Sequence, residues 1–204
     1  MRLLLRSLFA ATPFLSPKLK TKMVASSADY LVIGAGASGM AFVDTLLLHS
    51  QEPVSVVMLD RRDRPGGHWN DAYDFATLHQ PARNYGVESS RLEDYAVSNE
   101  EKRATKAEIL AYYEKVLSGW QAKGHSVEFV GGASFDLAAG TYTTSTGDTR
   151  SIAATKKLVD ARYTTNDIPL HVPPKFAYNK ETVDLIPPNA LPARDAVAAA
   201  QKHY

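Results

Sequence analysis

The chain has no cysteine among its 204 residues. Disulfide staples, thiolate metal sites, cysteine nucleophiles and redox cysteine pairs are therefore excluded as the basis of its fold or chemistry. A charge excess is also missing: the formal net charge of +1 gives no field to draw the chain to nucleic acid or to an anionic membrane. No apolar run approaches the ~20 residues of a membrane span. The six histidines (His49, His68, His79, His125, His171, His203) fall at no spacing that frames a zinc site, so no metal is expected. What remains is a chain with 45% hydrophobic and 22% charged residues, enough for the core of one soluble domain and short for two.

The first 28 residues carry Arg2, Arg6, Lys18, Lys20 and Lys22, with no acidic residue before Asp29. With Ser7, Thr12, Ser16 and Thr21 interspersed, this stretch reads as a mitochondrial transit peptide; a disordered basic leader, or an upstream extension ahead of a true start at Met23, is the alternative. The expected location is accordingly the cytoplasm or the mitochondrion. Three segments follow: a leader over 1–28, a folded domain over 29–165, and a connector over 166–204. The connector is rich in proline (Pro173, Pro174, Pro187, Pro188, Pro192), and its alanine-rich end over 193–201 predicts one short helix.

Residues 30–33 form a short, continuous apolar run, as suits a parallel strand buried on both faces. Glycines interrupt it, and from Met40 apolar residues recur at helical spacing through Phe42, Val43, Leu46 and Leu47. Residues 54–59 are again apolar and β-branched, which completes a βαβ unit with a right-handed crossover. Residues 61–100 show no sustained period and predict loop with short helical pieces. A helix begins at Thr105, where Thr105 and Glu108 have the capping-box spacing and Ile109, Leu110, Tyr113, Val116, Leu117 and Trp120 form one stripe; Gly124 is expected to end it. Short strands over 127–130, 134–137, 141–144 and 149–153 read as a small meander, and 157–161 as a strand returning to the main sheet. The fold class is α/β: a Rossmann-like parallel sheet with a small antiparallel β-meander.

Gly34, Gly36 and Gly39 carry the chemistry. A diphosphate approaches the backbone more closely than a Cβ permits, and free N–H groups at the positive end of a helix stabilise it. The first glycine suits the tight turn, the second the close approach and the third helix–strand packing, with Ala37 and Ser38 between them at the helix start. Asp60 ends the next strand, where an acid accepts ribose hydroxyls and opposes a 2′-phosphate, while the neighbouring Arg61 and Arg62 weaken that opposition. FAD and NAD both remain.

Arg64-Pro65-Gly66-Gly67-His68-Trp69 then places a second glycine pair and an indole beyond the acid. This arrangement resembles flavin-containing and Baeyer-Villiger monooxygenases, in which an acid-Arg segment runs into Gly-Gly-x-Trp and contacts FAD. The resemblance implies an FAD-binding, glutathione-reductase-like domain with Gly67, His68 and Trp69 near the cofactor. It also implies that His79 and Gln80 lie where the chain passes the flavin, and that Ala133 lies against the adenine; a solvated loop histidine and an ordinary core alanine are the alternatives. It covers 29–165 well and 166–204 loosely. Full relatives use a second glycine turn for NADPH and a later segment that completes the FAD site, and neither has a counterpart here. The chain is thus expected to be the N-terminal FAD-binding fragment of such an oxidoreductase, with no nameable general acid or base. A non-catalytic FAD- or ADP-binding module or incomplete gene product, and an NAD-dependent dehydrogenase, are the alternatives. Leu158, Val159 and Ile168 are expected on an uncovered sheet surface open to self-association.

Overall fold

A computed structural model of the protein describes residues 26–93, 102–122, 125–162, 172–183 and 185–190. The leader apart from its last residues, Gly124, Ile168 and the alanine-rich end lie outside the described residues. Four parallel strands form the central sheet in the order β5-β2-β1-β9, built from β1 (Ser27–Ile33), β2 (Ser55–Leu59), β5 (Ser126–Val130) and β9 (Ala153–Asp160). Helix α1 (Ala37–His49) joins β1 to β2, and α2 (Lys106–Ala122) precedes β5. An antiparallel meander of β6 (Ala133–Asp136), β7 (Thr141–Thr144) and β8 (Thr149–Ser151) leads into β9, whereas 127–130, expected in the meander, instead lies in β5 and pairs parallel with β2 in the central sheet.

Strand alternation assigns the two faces. Val32, Val56 and Met58 point to the helices, where they pack with Met40, Val43, Ile109, Tyr112, Val116 and Trp120. Leu31, Ile33, Val57 and Leu59 point to the meander, where they meet Ala133, Phe135, Tyr142 and Ile152. The sheet is covered on both faces, which explains why β1 and β2 read as continuous apolar runs. Among the described residues β5 and β9 are the two outer strands; Leu158 on β9 is 40% exposed. Val159 packs half-buried against the helix-side core.

The capping box forms as predicted: the Thr105 N–H donates to Glu108 at 2.9 Å and the Glu108 N–H to the Thr105 hydroxyl at 3.3 Å. Residues 61–93 are more ordered than their composition suggests. They contain 3-10 turns at Gly67–Asp71 and Ala82–Asn84 and a hairpin of β3 (Gly86–Val87) and β4 (Ser90–Arg91). Polar side chains from both helices hold that hairpin. The Tyr112 hydroxyl accepts the Val87 N–H and donates to the Ser90 carbonyl, each at 2.6 Å. Asp44, 1% exposed within the apolar stripe of α1, accepts from the Ser89 N–H at 2.7 Å, the Ser89 hydroxyl at 2.6 Å and the Trp120 indole at 2.8 Å. No helix among the described residues is long and apolar enough to cross a membrane.

Two stability predictions follow from these polar contacts. Asp44→Ala strands the buried Trp120 indole donor, along with two donors of exposed Ser89 that water can reach, and is expected to cost about 1–3 kcal/mol, read as a lower urea midpoint at unchanged m-value. Asp29 lies at the other end of the sheet, and its carboxyl is held below its ordinary value chiefly by the Ser55 N–H. Desolvation opposes this, while Lys156 and the Thr155 and Ser55 hydroxyls add to it. Since the folded value lies below the unfolded one, this contribution is present above the unfolded value and is lost as pH falls through the folded one. The stability gap between the wild type and Asp29→Asn should therefore be open at neutral pH and close below about pH 4; a gap that persists in acid contradicts this assignment.

Candidate functional site

The site lies at the carboxyl ends of β1 and β2, where the order of the sheet reverses because β2 and β9 flank β1 on opposite sides; ligands of open α/β sheets bind at this position. Gly34 leaves β1 at φ +104°, a left-handed conformation that glycine tolerates. Its N–H donates to the Leu59 carbonyl at 2.8 Å. A Cβ on it would come within 3.2 Å of the Ala161 backbone, so the turn is wedged against the end of β9. Gly39 allows the helix to sit on the turn, because a Cβ there would fall 1.9 Å from the Gly34 carbonyl oxygen. Gly36 caps α1 in an extended conformation with no side-chain cap, and the first turn carries no acidic residue. The first N–H groups of a helix lack intrahelical acceptors. At Ala37 and Ser38, both exposed, they face no competing carboxylate from this turn, which suits a diphosphate.

The second glycine pair docks on the first turn. The Gly66 N–H donates to the Ala35 carbonyl at 2.8 Å, and a Cβ on Gly67, at φ +55°, would lie 2.7 Å from the Gly36 Cα. Trp69, on the 3-10 turn that follows, is half-buried against the helix-side core, and exposed His68 has its ring centroid 5.5 Å from the Trp69 ring. Asp60 is 6% exposed. Its carboxylate accepts the Ala35 N–H at 2.7 Å and the Arg62 N–H at 2.9 Å. Arg62 itself is paired with Asp71, its Nε 2.7 Å from the carboxylate, and Arg64 with Glu114 at 2.9 Å, while Arg61 is exposed.

Ala133 donates its N–H to the Asp60 carbonyl at 2.8 Å, and its methyl lies in the meander-side core. His79 and Gln80 sit on an exposed turn; the His79 Nδ1 is 3.4 Å from the Tyr85 hydroxyl. The structure thus gathers Gly34, Gly36, Gly39, Asp60 and Gly67 into one hydrogen-bonded and packed unit. Two participants were missed in the sequence. Ala35, fully buried, bonds Asp60 through its N–H and Gly66 through its carbonyl. At Gly131-Gly132, a Cβ on Gly131 would lie 2.5 Å from the Asp63 carbonyl oxygen, and the Gly132 N–H donates to the Arg62 carbonyl at 3.1 Å. That pair is visible as adjacent glycines after a strand.

These close approaches order the glycines. Gly39→Ala and Gly67→Ala should each lower stability by roughly 1–3 kcal/mol through overpacking. Gly119→Ala, on an open helix face with nothing within 4 Å of the added methyl, should raise it by roughly 0.5–1 kcal/mol. Thermal melts of the three variants check the ranking.

Residues 32–94 match the family described as NAD(P)-binding Rossmann-like domain. Uncharacterized proteins of Mycobacterium tuberculosis and Mycobacterium bovis are each 38% identical over 170 residues, a match that covers 80% of this chain and 31% of theirs. The chain therefore spans about a third of the length of these relatives. Among solved structures it is similar to a flavin-containing monooxygenase from Stenotrophomonas maltophilia (TM-score 0.48, 22% identity, 70% of this chain and 42% of that one). It is also similar to a cyclohexanone monooxygenase from Rhodococcus sp. Phi1 bound to NADP+ (TM-score 0.46, 25% identity, 71% and 28%). The chain carries a Rossmann-like α/β fold, and the match to the NAD(P)-binding Rossmann-like domain takes in its first glycine turn, the acid after β2 and the docked second glycine pair.

Proposed function

We propose that this chain binds FAD through its ADP portion and serves as the flavin-holding part of a monooxygenase-like oxidoreductase. The observation that carries this reading is the backbone contact between Gly36 and Gly67, which brings the Gly-Gly-x-Trp segment onto the dinucleotide turn. A single glycine turn suits any dinucleotide; a second, docked on it and followed by Trp69, suits a cofactor that extends past the diphosphate toward residues 67–69. Gly36 and the N–H groups of Ala37 and Ser38 would take the diphosphate. Asp60 and Arg61 border the adenosine end, and His68 and Trp69 stand on the side toward which the second loop leads. FAD, when bound, supplies the redox chemistry, and the protein supplies binding, orientation and exclusion of water. NADPH as hydride donor, an organic substrate and oxygen belong to the same proposal.

NAD or NADP is the second reading, favoured by the description of the family that residues 32–94 match. The basic, acid-free N-terminal stretch supports a mitochondrial or cytoplasmic location, and exposed Leu158 on outer strand β9 supports self-association.

The test is the visible absorption spectrum of the protein after incubation with FAD and gel filtration. Co-eluting flavin absorbance that is lost in Gly36→Val is the expected result. A colourless protein that binds NADH or NADPH by fluorescence titration overturns the flavin reading in favour of the second.

A further inference from the structure

We infer that the outer edge of β9 is the contact between two copies of this chain, which pair antiparallel across a two-fold axis at Leu158. The inference rests on the self-association reading and names its surface and register; it is independent of the cofactor. Among the described residues no strand pairs with the edge of β9 that faces away from β1. Thr155, Lys156, Lys157, Leu158 and Asp160 are exposed on this strand, and no proline interrupts it. Such an edge offers its unpaired N–H and C=O groups to another chain.

Backbone geometry fixes which groups are offered. The Ala161 N–H turns inward and donates to the Ile33 carbonyl at 2.8 Å. Backbone groups of successive strand residues point to opposite sides, so Val159 and Lys157 also face β1. Leu158 and Asp160 face outward, and Lys156 is the next position on that side. Antiparallel strands form their paired bonds where outward-facing residues stand opposite one another, which excludes an axis between two residues. With the axis at Lys157, Leu158 meets Lys156 and Asp160 meets Ala154. With the axis at Val159, Leu158 meets Asp160 and Lys156 meets the like charge of Arg162. With the axis at Leu158, Lys156 meets Asp160 twice and Leu158 meets its own copy. Only this last register sets opposite charges across the ladder and an apolar side chain against its like. Leu158 stands beside Leu31, so the apolar pair lies on the meander face of the sheet.

Lysines on an edge strand ordinarily repel a chance partner; Asp160, on the same face as Lys156, makes that repulsion selective for one register. Asp160 already holds the Arg162 guanidinium at 2.8 and 2.7 Å, and Lys156 lies 3.6 Å from Asp29. The cross-strand contacts therefore join two existing ion pairs on each side of the axis. The contact is isologous: each copy uses the same edge, and association closes at a dimer.

Sedimentation equilibrium of the full chain reads the association. Asp160→Lys sets like charges opposite Lys156 and should raise the dimer dissociation constant about tenfold or more. Lys156→Asp combined with Asp160→Lys should restore it to within about threefold of the wild type. A short bis-maleimide reads the register. Leu158→Cys, the sole thiol of a cysteine-free chain, should cross-link copy to copy. Lys156→Cys should not, since its two copies stand four residues apart along the ladder, roughly 14 Å. A dimer that lacks the charge-swap rescue, or that cross-links equally at both positions, leaves self-association standing and overturns the pairing through β9. A chain that stays monomeric overturns both, and protection of its Leu158 amide from hydrogen exchange would then show its own residues seated on the edge. Where Asp160→Lys does not fold, the two cysteine variants decide.

Discussion

The peptide of Ala35 is the joint on which the carboxyl-end turns of β1 and β2 depend. It lies beyond the last β1 residue, so no strand ladder satisfies it, yet it is fully buried. An unpaired peptide group in that position costs about 1–3 kcal/mol. The chain meets this by bringing a carboxylate from the end of β2 to the N–H and a glycine N–H from the following loop to the carbonyl. Once both bonds form, the turn after β1, the end of β2 and the Gly66-Gly67 loop have one relative geometry. The glycines are consequences of that geometry: with Gly36 and Gly67 in backbone contact, a side chain at Gly67 has no room.

A turn held to that tolerance needs a base that does not move, and the layers provide it. Alternating residues of β1 and β2 bury one set against α1 and α2 and the other against the meander. Neither strand can slip by one residue without exchanging its faces. The long connection from β2 to α2 could have remained open loop. Asp44, Tyr112 and Trp120 instead pin its hairpin to both helices. Loops fixed in this way to a rigid scaffold are suited to place binding groups.

Legibility in the sequence divides along the range of the interactions. Strands β1 and β2, the glycine spacing and the Thr105–Glu108 capping box depend on residues a few positions apart, and each appears where the pattern predicts it. The hairpin does not show, because its donors and acceptors are satisfied by Asp44 and Tyr112, distant in sequence and unremarkable within their helices. Asp44 even breaks the apolar stripe of α1, and nothing local reveals that Ser89 and Trp120 will meet it. Strand β9 begins four residues before the expected stretch, since Ala153 and Ala154 pair with β1 despite having little β character of their own. In the site, the glycines and Asp60 were legible and the role of Ala35 was not. A buried alanine has no chemistry, and only its peptide matters.

Electrostatics explain why closure of the turn counts for more here than charge. Beyond the carboxyl end of β2, Arg61, Arg62 and Arg64 stand against Asp60, Asp63, Asp71 and Glu114, with Arg62 and Arg64 held in ion pairs. Such an arrangement has no cationic excess to attract a diphosphate from a distance. Under the proposed reading, attraction of a diphosphate comes from dipoles at contact range: the N–H groups of the first turn of α1 and the partial positive charge at its end. Dipolar attraction falls off faster with distance than attraction between full charges, so a small opening of the turn forfeits a large share of it. A site that relies on N–H groups rather than lysines and arginines must therefore fix its backbone before the ligand arrives. The buried carboxylate of Asp60, spent on two peptide N–H groups, meets that requirement.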